Sequence, residues 1–117
     1  MDTPELILQQ RRRDVDSRVE YLNAGMAALR VDRAADSADD EHDPEGVTLS
    51  AEWSRLEGLR EAALVERAEI DAALSRVGDG TYGVCEDCGR GIPSGRLDAR
   101  PTATRCVDCA ARAESRR

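Results

Sequence analysis

Four cysteines constrain this chain more than any other feature: Cys85-x2-Cys88 and Cys106-x2-Cys109, two tight pairs separated by 17 residues. Two residues between cysteines let both sulfurs reach one metal ion, and a second pair closes the tetrahedron from a distant point in the chain. Such a set predicts one structural Zn²⁺ held by Cys85, Cys88, Cys106 and Cys109. Four thiolates leave no open coordination position, so the metal supports structure and does no Lewis-acid chemistry. A thioredoxin-like redox role would need a single CxxC beside a βαβ pattern, and neither is present. The surrounding residues make the metal necessary. Between Gly78 and Arg105 the apolar residues are only Tyr82, Val84, Ile92, Leu97 and scattered alanines, so metal binding should supply most of that segment's folding free energy.

The residues before the cysteines read differently. Leu8, Val15, Leu22 and Leu29 recur every seven residues, with Val19 and Met26 at the complementary positions and Arg12 as the exception. That is a heptad seam, on a helix expected from about Thr3 to Arg33. Thr3 can cap it, and Pro4 suits the first helical position. A second seam follows Gly46: Leu49, Leu56, Ala63, Ile70 and Val77, with Trp53 and Leu74 interleaved and Arg60 and Arg67 interrupting. Leu59 and Leu64 are expected to widen its apolar face. Thr48 or Ser50 can cap its start, and Gly78 is a natural C′ residue at its end. Two helices of about 30 residues, each ~45 Å long, pair most simply as an antiparallel hairpin. A parallel pairing of two copies is the competing arrangement. Gly25 and Gly58 lie nearly symmetrically about the turn. Either they face each other and allow close approach, or each merely weakens its helix by ~1 kcal/mol.

The fold class is therefore mainly α. A long antiparallel coiled-coil hairpin spans residues 1–78, with its turn around 35–47. A small four-cysteine zinc module spans 79–117, turn-rich at first, with a short helix after Cys106 through Ala110, Ala111 and Ala113. Aromatics are 3% of the chain and Phe is absent, so a deep apolar catalytic pocket is not expected. Nor is there a Cys/His dyad or a phosphate-binding glycine loop, and the chain does not read as an enzyme. No apolar stretch approaches the ~20 residues of a membrane span. The acidic start, Met1-Asp2-Thr3-Pro4-Glu5, is wrong for a secretory signal. The expectation is a soluble cytoplasmic protein, where cysteines stay reduced and bind metal.

Seventeen basic residues, all arginine, stand against 24 acidic ones for a net charge of −7. Six acids crowd into one short stretch with no arginine among them: Asp36, Asp39, Asp40, Glu41, Asp43 and Glu45. Such a run is often only a solvated loop. Here it sits at the expected turn of the hairpin, shaped by Pro44 and Gly46, where clustered carboxylates can meet a hard cation or a partner's basic side chains. His42, in the same loop, reads as an exposed bystander.

Around the cysteines the residues Gly80, Tyr82, Gly83, Cys85, Cys88, Gly89, Ile92, Arg96, Leu97, Ala99, Pro101, Cys106 and Cys109 follow the order G-x-Y-G-x-C-x-x-C-G, I-x3-R-L-x-A-x-P, C-x-x-C. This closely resembles the DksA/TraR family of bacterial four-cysteine zinc-finger transcription regulators, and with the hairpin the resemblance covers nearly the whole chain. It implies direct binding to RNA polymerase, with the hairpin inserted into the secondary channel and the acidic tip approaching the catalytic centre to alter promoter complexes. Members often act together with ppGpp, but this chain has no lysine to serve as a phosphate ligand. The tip also departs from the D-x-x-D-x-A pattern: Asp36-x-x-Asp39 is followed by Glu41, and Asp40-x-x-Asp43 by Glu45. That leaves the sign of regulation open.

A DNA-reading module of the GATA type shares the cysteine spacing and is the alternative. From Thr81 to Arg117 there are seven arginines against five acids, short of the basic stripe a DNA reader carries. Direct sequence-specific DNA binding is therefore not expected.

Overall fold

The computed structural model describes residues 3–36 and 44–116. Four helices follow in order: α1 (Pro4–Asp36), α2 (Pro44–Asp79), α3 (Ser94–Ala99) and α4 (Val107–Ser115). α1 starts as its sequence dictates. The Leu6 amide donates to Thr3 Oγ1 at 3.2 Å, a side-chain N-cap, and Pro4 fills the first helical position.

α2 begins earlier than its seam suggests, at Pro44, so Thr48 and Ser50 lie inside it rather than capping it. Proline is at home in the first turn because its missing N–H would be unpaired there anyway. The helix also ends later. It runs through Gly78 to Asp79, and Gly80, at φ +81°, takes the left-handed position instead. Thr81 N–H donates to Arg76 C=O at 3.0 Å and Gly80 N–H to Val77 C=O at 3.4 Å. These two bonds form a Schellman cap.

The chain divides into two compact units, residues 13–67 and residues 1–12 with 68–117. In the first, α1 and α2 pack antiparallel within one chain. Arg67 meets Asp16 at 3.4 Å and Arg18 meets Glu66 at 2.6 Å. Arg60 donates to Asn23 Oδ1 at 2.6 Å, and the Arg30 guanidinium lies 5.3 Å from the Trp53 ring centroid. Numbers rise on one helix as they fall on the other, in one continuous register. The seams form the core: Val15, Val19 and Leu22 are buried on α1, Leu56 and Ala63 on α2. The arginines that interrupt the second seam are half-buried and carry their charge to polar partners on the opposite helix. Leu59 does not widen the apolar face, being 45% exposed. The two glycines differ as well. A Cβ on Gly25 would lie 3.5 Å from Leu56 Cδ1, whereas Gly58 faces nothing within 4 Å. They do not face each other.

The second unit holds the start of α1, the end of α2 and everything after. Leu8, Ile70 and Ala73 are fully buried there. Arg12, the exception in the first seam, pairs with Asp71 at 2.6 Å. The cysteine module is less irregular than its glycine content suggests: Ser94–Ala99 forms a helical turn and a half, α3, that composition concealed.

Candidate metal centre

Three glycines shape the loop carrying the first cysteine pair. Gly80, Gly83 and Gly89 have φ of +81°, +80° and +76°, a region that costs other residues roughly 1–2 kcal/mol. At Gly83 a Cβ would sit 3.4 Å from Leu97 Cδ1, in van der Waals contact, so it is the backbone conformation that calls for glycine. With those turns in place the backbone closes on itself. Cys85 N–H donates to Arg90 C=O at 2.8 Å, Gly89 N–H to Cys85 C=O at 3.0 Å, and Ile92 N–H to Gly83 C=O at 2.6 Å. Val84 and Gly91 form an antiparallel bridge. The second pair straddles the start of α4, with Cys106 at its N-cap position and Cys109 one turn in.

The four sulfurs lie within 4.8 Å of one another, and Cys88 Sγ is 4.0 Å from Cys106 Sγ. All four cysteines are free thiols. A tetrahedron with zinc–sulfur bonds of ~2.3 Å has edges of about 3.8 Å, so the cluster fits zinc after a small contraction. The electrostatics also ask for a cation. Backbone N–H groups of Cys88 and Cys106 aim at the Cys85 sulfur and bring its pKa down to about 6. Hydrogen bonding to the Cys106 sulfur, then burial, pushes Cys109 up to about 12. The Cys85 thiolate is favoured without metal and the Cys109 thiolate is not, and a bound dication removes that opposition.

Cys85 and Cys109 are buried with Ile92, and Leu97 and Cys106 pack against them. The Tyr82 hydroxyl donates to Pro101 C=O at 2.8 Å, and burial raises its pKa. Arg96 Nε donates to Arg105 C=O at 2.6 Å. Arg105 reaches back to Asp87 at 2.7 Å and Glu86 at 3.0 Å, the two residues between the first cysteines. Sequence alone leaves both arginines open between surface charge that compensates the thiolates and a contact role. The signal that could have found Arg105 is its place beside Cys106, opposite two acids enclosed by the other pair.

Residues 80–115 match the prokaryotic dksA/traR C4-type zinc finger. DksA2 from Pseudomonas aeruginosa has the same fold, with a TM-score of 0.82 at 26% identity, over 97% of this chain and 81% of that one. The DnaK suppressor protein of Agrobacterium tumefaciens is 31% identical over 92% of this chain and 88% of its own, with a TM-score of 0.56. This chain belongs to the DksA/TraR family. Its module is a C4 zinc finger with the four cysteines at a single site.

The RNA polymerase-binding transcription factor DksA of Caulobacter vibrioides is 53% identical over 49 residues, 42% of this chain and 34% of that protein. The match therefore spans about a third of that relative's length. The physical meaning of the DksA/TraR motif is now visible. Its glycines take left-handed turns, Tyr82 ties to Pro101, Ile92 and Leu97 pack around the cysteines, and Arg96 holds the carbonyl of the residue that precedes Cys106.

Of the six acids read as a tip, Asp36 ends α1 and Glu45 lies in the first turn of α2. Asp39, Asp40, Glu41 and Asp43, with His42, lie outside the described residues.

Proposed function

We propose that this chain is a non-catalytic transcription regulator that binds bacterial RNA polymerase directly. The hairpin enters the secondary channel, and the acidic stretch between α1 and α2 acts on promoter complexes. The observation that carries this reading is the fold shared with DksA2 over 97% of the chain, hairpin and zinc module together. The relatives named RNA polymerase-binding transcription factors support it. In this reading Cys85, Cys88, Cys106 and Cys109 hold the structural zinc, and Asp36, Asp39, Asp40, Glu41, Asp43 and Glu45 supply the charge that acts in the channel. Dependence on an alarmone such as ppGpp is for transcription with and without it to decide: the chain has no lysine, and any phosphate contact would fall to its arginines.

The DNA-reading alternative loses ground on the arginines. Arg96 and Arg105 are engaged within the module itself. The shallow cavity they line with Arg100 also contains Glu69 and Glu114. Mixed charge of this kind does not track a phosphate backbone. No helix among the described residues is long and apolar enough to cross a membrane.

The test is capture of purified core RNA polymerase by the zinc-loaded chain, followed by transcription in vitro with and without ppGpp. Saturable binding to polymerase, and no salt-sensitive retention on duplex DNA, is the expected result. Binding to DNA alone would replace this reading with the alternative.

A further inference from the structure

Arg105 stands at the point where the two halves of the zinc centre meet. It immediately precedes Cys106, while Glu86 and Asp87 are the two residues enclosed by Cys85 and Cys88. Its Nε lies 2.7 Å from Asp87 Oδ2 and its Nη2 3.0 Å from Glu86 Oε1. One guanidinium thus spans both carboxylates of the first loop from the chain that carries the second pair. The same junction is held by backbone: Glu86 N–H donates to Thr104 C=O at 2.9 Å. Arg96 fixes the Arg105 carbonyl at 2.6 Å, so the side chain projects from an anchored peptide.

The charge balance gives this fork a purpose. Zinc with four thiolates carries a net charge of −2, and Glu86 and Asp87 place two more negative charges inside the first loop. Unopposed, they would repel the cluster and favour a loop splayed away from Cys106. A planar guanidinium holds its donors in a fixed fork that meets two acceptors at once, whereas a flexible ammonium is a point charge with no such preset geometry.

We propose that Arg105 is a positioning residue for the metal: an ionic clasp between the two cysteine pairs that sets how tightly zinc is retained. It binds no metal itself. It acts by holding the Cys85–Cys88 loop in register with Cys106, and it rests on the zinc assignment rather than on any action at polymerase.

The experiment follows zinc transfer from the intact chain to the chromogenic chelator 4-(2-pyridylazo)resorcinol. Partners in the outer sphere of metal sites are commonly worth 10–100-fold in affinity. Because these carboxylates are partly solvated, R105Q should release zinc about tenfold faster. R105K, which keeps the charge but not the fork, should fall between R105Q and wild type. Added salt should speed release from wild type and leave R105Q nearly unchanged. In an E86Q/D87N background, R105Q should have no further effect. If R105Q purifies without zinc, the triple variant E86Q/D87N/R105Q should bind it again. Release from R105Q within twofold of wild type, the same acceleration in the E86Q/D87N background, or a triple variant still without zinc would each overturn the clasp.

Discussion

Single residues in the cysteine module answer to geometry that no neighbour can supply for them. Gly83 has a φ of +80°, which a residue with a Cβ adopts only under strain. Gly83→Ala should therefore destabilise the zinc-loaded module by about 1–2 kcal/mol, read as a lower midpoint in chemical denaturation. Cys88 tests the metal more directly. It is the exposed member of the cluster, so Cys88→Ser perturbs packing little and coordination greatly. The expected outcome is loss of stoichiometric zinc in metal analysis and loss of order in residues 80–115. Most far-UV helical signal should remain, because α1 and α2 have their own seams. Unchanged zinc content would contradict the assignment. The cysteines could be read in advance because their pairing is set by covalent spacing. The roles of Arg96 and Arg105 could not, since their partners are chosen by how distant loops fold together.

The helices obey a different logic, in which position along the seam decides the worth of a side chain. Ile70 is fully buried, whereas Leu59 is 45% exposed. Ile70→Ala removes buried methyl groups and leaves a cavity, at a cost of about 2–5 kcal/mol. Leu59→Ala, at a half-solvated edge, should stay within about 1 kcal/mol. Thermal or urea unfolding of the two variants side by side checks the contrast, and equal losses would show that Ile70 and Leu59 do not occupy these positions in the register. Both seams were legible because heptad spacing repeats a local geometry. Arg12, Arg60 and Arg67 interrupt that pattern without breaking it, since a long side chain can leave the seam while its stem still covers apolar surface. The ends of α2 were less legible. Pro44 and Gly80, rather than Thr48 and Gly78, set them, because a start or a stop depends on a few backbone groups instead of a repeating face.

For the whole molecule, the proposed division of labour separates docking from action. Replacing Asp39, Asp40 and Asp43 together by Asn removes three charges, and surface changes of this kind usually shift stability by no more than ~0.5 kcal/mol each. The variant should fold, keep its zinc and compete with wild type for RNA polymerase. Its effect on open-complex lifetime should largely vanish, whatever the sign of that effect. If polymerase binding and the lifetime effect both survive, the acidic stretch is a solvated loop and the activity resides elsewhere. Failure to bind polymerase at all would sink the proposed function itself, a result distinguishable from loss of action alone.

Spacing along the chain was enough to specify the mainly helical class, the two seams and the four cysteines that gather at one point. Each of these depends on spacing along the chain, and the physics of a heptad or a CxxC pair is local. Tertiary structure decided what required two distant segments at once: α3 folding within a glycine-rich stretch, Gly25 rather than Gly58 meeting the opposite helix, and Leu59 left in solvent. It also decided that Arg105 would face Glu86 and Asp87. A charged side chain has many possible partners in the unfolded chain, and only the folded register leaves it with two.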